Sequence, residues 1–322
     1  FFIFMFSKML SAPIKTISSQ ALKIKQLEEV EQLDIKTPVK EVGELIQSIN
    51  SMGVAFDAFS HYVPKSIVKH LIETNQKADI SGKNFHVTLL FTDIKNFTGF
   101  SESEEPEMVS KFLSEYFEII SNLILEYGGT IDKYIGDSVM AFWGAPKIVS
   151  NQYENAARCI LEVRKKMKSP EFMNHPVLSK FDTRFALHSG NVVVGNIGSR
   201  DRFNYTAIGR EVNLCSRLES VNKQFNTHVL VSNSFQKMIG NTMPTRPLDS
   251  VKLKGFTAPV FVHELLEDDV DPDQLTAYLQ CHDLYMNKKF AEAKESFEDL
   301  KKRYPNDEVL DYFIKQCNTY LS

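Results

Sequence analysis

Thr130-Ile131-Asp132-Lys133-Tyr134-Ile135-Gly136-Asp137-Ser138-Val139-Met140-Ala141-Phe142-Trp143 reads as two short strands, Thr130–Ile135 and Ser138–Trp143, joined by a Gly-Asp turn. Upstream, Phe85 to Phe91 is an apolar run of strand length that ends on Thr92-Asp93-Ile94. Between them, Glu105 to Tyr127 sets Val109, Phe112, Leu113, Tyr116, Phe117, Ile120 and Ile124 on one helical face, stopped by Gly128-Gly129. Downstream come a helix near Tyr153–Met167, strands at Thr183–His188 and Val192–Asn196, a helix at Glu211–Phe225 and a strand at His228–Val231. The order β-α-β-β-α-β predicts an α+β, ferredoxin-like core with additions.

In that order the first strand lies beside the hairpin, so Asp93 and Asp137 can converge. Each has a plain reading alone: Asp93 as a helix cap competing with Asn96 and Thr98, Asp137 as a turn residue. Together, two close acids repel unless a cation holds them, and Mg²⁺ prefers a few carboxylates plus substrate phosphates. Phe97-Thr98-Gly99 forms a turn into a helix, where backbone N–H groups can cradle phosphate. Strict alternation puts Asp132 and Tyr134 on one strand face and Lys133 and Ile135 on the other. A lone strand lysine is ordinarily solvated, and Thr206 is an ordinary β-branched strand residue. Asn213 and Arg217 stand four apart on one helical face, with Lys254-Gly255 as a further cation near a turn.

The 322 residues carry a net charge of −4, which gives no support to nucleic-acid binding. Four widely spaced cysteines, none in a CxxC pair, argue against disulfides and zinc. The chain opens on phenylalanine, and Phe1-Phe2-Ile3-Phe4-Met5-Phe6 reads as the end of a truncated membrane helix. Two heptad seams follow, Leu10-Ile14-Ile17-Ala21-Ile24 and Val42-Leu45-Ile49-Met52-Phe56-Phe59-Val63, separated by a polar connector. They predict a parallel four-helix bundle in a dimer. Glu267 to Asp273 reads as a solvated acidic linker, and Leu275 to Pro305 as a helical pair.

Phe91-Thr92-Asp93-Ile94, Phe97-Thr98-Gly99, Asp132 through Asp137 and Tyr205 through Glu219 closely resemble the class III nucleotidyl cyclase catalytic domain. The resemblance implies two divalent ions, Mg²⁺ or Mn²⁺, on Asp93, Asp137 and the Ile94 carbonyl. It implies triphosphate contacts from Phe97, Thr98, Gly99 and Lys254, purine reading by Lys133 and Thr206, ribose positioning by Asn213, and transition-state stabilisation by Arg217. Relatives that take guanine carry glutamate and cysteine where Lys133 and Thr206 stand, and lysine cannot accept a hydrogen bond. ATP is therefore the expected substrate, cyclic AMP the product, and a homodimer with shared sites the expected assembly. Arg210-Glu211 departs from the acid and small residue of many relatives and alters local charge. The N-terminal seams resemble a HAMP relay and the tail a tetratricopeptide pair. The implied organisation is a membrane-helix end at 1–9, a HAMP-like relay at 10–64, a connecting helix at 65–83, the cyclase domain at 84–266, the acidic linker at 267–273 and the tail at 274–322. That places the protein at the inner membrane with its catalytic domain in the cytoplasm, with a protein partner conceivable for the tail. The rivals are a guanylate cyclase, a diguanylate cyclase, whose hairpin would read Gly-Gly-acid-acid-Phe, and a cyclase fold without activity.

Overall fold

The computed structural model describes residues 10–28, 30–60, 62–63, 65–74, 80–200 and 202–322. The expected membrane-helix end at 1–9 lies outside them. Among the described residues no helix is long and apolar enough to cross a membrane. The chain divides into two compact units, 1–79 and 80–322.

In the first unit, α1 (Ala12–Gln26) opens with Pro13 in its first turn, where a missing N–H costs nothing, and ends on Leu27 in the left-handed region. It packs against α2 (Lys40–Ser60) through Ile17, Val42, Ile46 and Ile49. The connector is pinned rather than loose: the Asn50 amide both donates to the Leu33 carbonyl and accepts from its N–H. Ile14, Leu45, Met52 and Phe59 of the two seams stay exposed. A short α3 (Lys65–Thr74) follows.

The second unit is built on β1 (Ser81–Ile94), which pairs antiparallel with β3 (Ser138–Trp143) on one side and β4 (Thr183–Gly198) on the other. β2 (Thr130–Ile135) closes the hairpin onto β3. β6 (Val229–Ser232) lies parallel to β4, followed by β8 (Val260–Leu265) and β7 (Thr245–Val251). β5 (Phe203–Ile208) pairs with the far end of β4. The two strands expected at 183–188 and 192–196 are one. Ser189-Gly190-Asn191 resembles a turn, but its backbone pairs in register with Thr88, Val87 and His86, so the ladder runs straight through.

Alternation along β1 feeds two cores. Leu90 and Ile94 join Val139, Ala141 and Trp143 beneath α5 (Pro106–Glu126) and α6 (Gln152–Met167). Leu89 and Phe91 face Met140, Phe142 and, from α8 (Arg210–Phe225), Leu214, Cys215 and Leu218. Gly129 is obligatory where α5 turns into β2, because a Cβ there would stand 2.7 Å from both Ile124 and the Trp143 ring. Two small helices, α4 (Phe97–Ser103) and α7 (Pro170–Met173), flank the first core, and α9 (Asn233–Ile239) follows β6.

The tail is three helices, α10 (Pro272–Met286), α11 (Phe290–Arg303) and α12 (Val309–Leu321), where a pair was expected. One helical pair leaves an apolar face open, and α12 covers it with Phe313 and Cys317. The bundle shares a core with the sheet, and Tyr278 and Tyr285 donate to the Pro247 carbonyl and to Asp249 of β7. Buried Arg246 joins Glu264, at 2.7 Å, to Asp307, at 2.9 Å. The acidic linker is not simply solvated: Glu267 pairs with Arg164 and Lys168, and Asp271 caps α10. All four cysteines are free and buried.

Candidate active site

Asp93 lies near the end of β1, partly buried between buried Thr92 and Ile94, and Asp137 follows Gly136 in the β2–β3 turn, where φ of +62° favours glycine. The hairpin is anchored on β1: the Val139 N–H donates to Thr92 Oγ1 (2.8 Å) and the Ile94 N–H to Asp137 Oδ2 (3.0 Å). The two aspartates therefore converge, as the topology requires. Half-burial raises the Asp137 pKa, two backbone N–H bonds oppose that shift, and the Asp93 charge adds to it. Asp93 faces Lys223 at 3.7 Å and Arg184 at 4.0 Å. Glu219 of α8 lies against Asp93, and burial together with that charge pushes its carboxyl up to about 8. This crowding of carboxyls is the environment a divalent cation relieves. Among the described residues no group of three or more His, Cys, Asp or Glu is arranged as a metal cage. Two aspartates completed by phosphate oxygens suit Mg²⁺ and not a structural metal.

Phe97, Thr98 and Gly99 form the first turn of α4, just beyond Asn96 in the left-handed region. Thr98 and Gly99 are exposed just beyond the Asp93 end of β1.

Lys133 and Thr206 meet: Lys133 Nζ donates to Thr206 Oγ1 at 3.0 Å. Their strands are separated by β3, β1 and β4, which in a flat sheet would put them about 19 Å apart at the usual strand spacing. The contact shows that this part of the sheet curls. Gly195 permits the tight curvature, since a Cβ there would fall 1.9 Å from the Ser81 carbonyl oxygen. Strict alternation on β2 fails. The β2–β3 register shifts between Ile131 and Lys133, and this bulge brings Asp132 to the same cluster as Lys133. The Asp132 side chain is fully buried; its Oδ2 accepts from Thr206 Oγ1 (2.7 Å) and from the Ala207 N–H (2.9 Å).

Asn213 and Arg217 share α8, which leaves β5 through Gly209 at φ +147°. The Asn213 side chain is exposed. The Arg217 guanidinium sits 5.2 Å from the Phe256 ring centroid. Gly255 leaves it room, because a Cβ there would approach Nη1 to 2.9 Å, so Arg217 and the Lys254-Gly255 turn are brought together. Glu211, the odd residue of this segment, does more than change surface charge: it accepts from His188 Nε2 at 2.8 Å, and His188 Nδ1 meets Ser232 Oγ at 2.7 Å. The residues that sequence reasoning missed are Asp132, Glu211 and Glu219. An acid next to a lysine inside the short strand Thr130–Ile135 was the available signal for Asp132.

The family model "Adenylate and Guanylate cyclase catalytic domain" matches residues 81–266. "Adenylate cyclase 1" of Rhizobium meliloti is 34% identical over 259 residues, which is 80% of this chain. The chain spans 39% of that relative's length. Among solved structures, the adenylyl cyclase CyaB from P. aeruginosa is 32% identical with a TM-score of 0.54, covering 60% of this chain and 99% of its own. The guanylyl cyclase Cya2 is 29% identical with a TM-score of 0.52, covering 61% and 98%. With the paired aspartates, the Lys133–Thr206 contact and the Asn213–Arg217 helix on the matched segment, this chain belongs to the class III adenylate and guanylate cyclase family.

Proposed function

We propose that this chain is an adenylate cyclase that converts ATP to 3′,5′-cyclic AMP and pyrophosphate. The observation that carries the reading is the Lys133–Thr206 pair, a cation and a hydroxyl 3.0 Å apart where guanine-specific relatives hold an acid and a thiol. The Rhizobium relative's name supports the same substrate.

Asp93 and Asp137 would hold the divalent cations, which supply Lewis-acid activation of the ribose 3′-hydroxyl and neutralise the triphosphate. The hydroxyl loses its proton to water, its oxygen bonds to the α-phosphorus, and the bond from that phosphorus to the bridging oxygen breaks in line to release pyrophosphate. Asn213 orients the ribose from the exposed face of α8. Arg217, kept in place by the Phe256 ring and the glycine beside it, meets the negative charge that grows on the α-phosphoryl oxygens. The first turn of α4 and Lys254 take the β- and γ-phosphates.

Sites shared between two copies fit the division of these residues into a metal group and a purine-and-phosphorus group. The seam residues left exposed on α1 and α2, Ile14, Leu45, Met52 and Phe59, suit a HAMP-like dimer that would link the catalytic unit to a membrane sensor. The deciding experiment is chromatography of products after incubating the chain with ATP or GTP, each with Mg²⁺ or Mn²⁺. Cyclic AMP that disappears in Asp93→Ala establishes the reading. Cyclic GMP as the main product would make it a guanylate cyclase, and no cyclic product from a verified dimer would make it a fold without activity.

A further inference from the structure

We infer that Asp132 sets the choice of purine, by fixing which way the Thr206 hydroxyl points. This rests on the cyclase reading above and names what selects the base. A hydroxyl has one proton to give. The Ala207 N–H can only donate, so Asp132 Oδ2, 2.9 Å away, presents a lone pair there. Thr206 Oγ1 stands 2.7 Å from the same oxygen, and two oxygens at that distance need a proton between them. With Asp132 ionised, that proton is the hydroxyl's own. The Lys133 ammonium, which also only donates, occupies a second side of Oγ1 at 3.0 Å. Toward any further ligand, Thr206 is left as an acceptor.

The rest of the cluster holds this arrangement. Asp132 Oδ1 is buried and faces the Lys133 ammonium at 3.1 Å, a contact that tethers the cation. Lys133 remains partly exposed, at 41%, with a proton free for a ring nitrogen. The presented edge is therefore one acceptor beside one donor. Adenine offers the complement, a 6-amino donor beside the N1 acceptor. Guanine offers the reverse, a 6-oxo acceptor beside an N1–H donor, and would leave both pairs mismatched. Asp132 touches no base; it is a positioning residue that acts through Thr206.

The test measures kcat/KM of the whole chain with ATP, GTP and purine riboside 5′-triphosphate, which is ATP without its exocyclic amine. The wild type should prefer ATP over the amine-free analogue by about ten-fold or more, the usual value of a hydrogen bond in a site built for it. Asp132→Asn should keep that ratio, because the Ala207 N–H holds the amide oxygen where Oδ2 stood, while KM rises as the Lys133 tether is lost. Asp132→Ala frees the hydroxyl and should bring the ratio to within about two-fold, with discrimination against GTP falling alongside. A purely structural role would lower kcat for all three nucleotides together. An Asp132→Ala protein that keeps the wild-type ratio overturns the inference. A wild type indifferent to the amine also overturns it, with no variant needed should Asp132→Ala fail to fold. If no cyclic product forms, the cyclase reading falls instead, and titration calorimetry with the same three nucleotides decides the base preference: ATP tightest supports it, equal affinities refute it.

Discussion

One hairpin carries two aspartates five positions apart, Asp132 and Asp137, and they are treated in opposite ways. The Asp132 side chain is fully buried, with its polar contacts made within the fold to Thr206, Ala207 and Lys133. Asp137 is only half buried, receives backbone N–H bonds, and has its carboxyl pushed up by burial and by Asp93. The first end of the hairpin is complete before any ligand arrives. The second end is left in conflict, and a divalent cation is what would resolve it. A selecting site gains from finished hydrogen bonds, which leave one pattern of donors and acceptors. A metal site gains from unspent charge.

The contrast can be broken most severely at its unfinished end. Asp137→Asn should cut cyclase turnover by on the order of a thousand-fold, since Lewis-acid and charge-neutralising effects are lost together. Lys133→Ala should be separately defective. Mixed in one tube, the two inactive proteins should regain part of the activity, because one intact shared site forms per mixed dimer. Dimers confirmed by light scattering without any recovery would refute shared sites. A thermal-melt series sharpens the comparison further. Mn²⁺ at a hundred-fold excess over its Kd should stabilise the wild type by about 2.7 kcal/mol. Asp132→Asn should keep this gain and Asp137→Asn lose it; equal gains in all three would place the cation elsewhere. The mildest probe is the turn itself. Gly136→Ala must hold φ near +62° and should cost about 1 kcal/mol in urea unfolding. It should slow turnover while leaving the ATP-to-GTP ratio unchanged, because Asp132 is anchored through the bulge and not through the turn.

The hairpin was legible to the residue, Thr130–Ile135 and Ser138–Trp143, because its signals are local: β-branched and aromatic runs bracketing a Gly-Asp pair. The long helices were legible within a residue or two for the same reason, their apolar faces being local patterns; α5 is also started by Pro106 and stopped at Gly128-Gly129. What stayed hidden depends on partners distant in sequence. The bulge at Asp132 exists only in pairing with β3, so period-two reading put that carboxylate on the wrong face. The continuity of β4 through Gly190 depends on β1, and the approach of Glu219 to Asp93 depends on α8 crossing the sheet. The third tail helix was hidden because the pattern looked complete at Pro305, while the apolar face it covers appears only once the first two helices pack.

The buried cysteines turn the molecule into its own clock. Cys281 and Cys317 lie within the tail bundle, whereas Cys215 is on the buried face of α8 and Cys159 on that of α6. Burial raises all four thiols, Cys159 to about 12, so each reacts with an alkylating reagent only when its surroundings open. The order in which the four become alkylated therefore reads out whether the tail peels from the sheet before the rest of the chain comes apart.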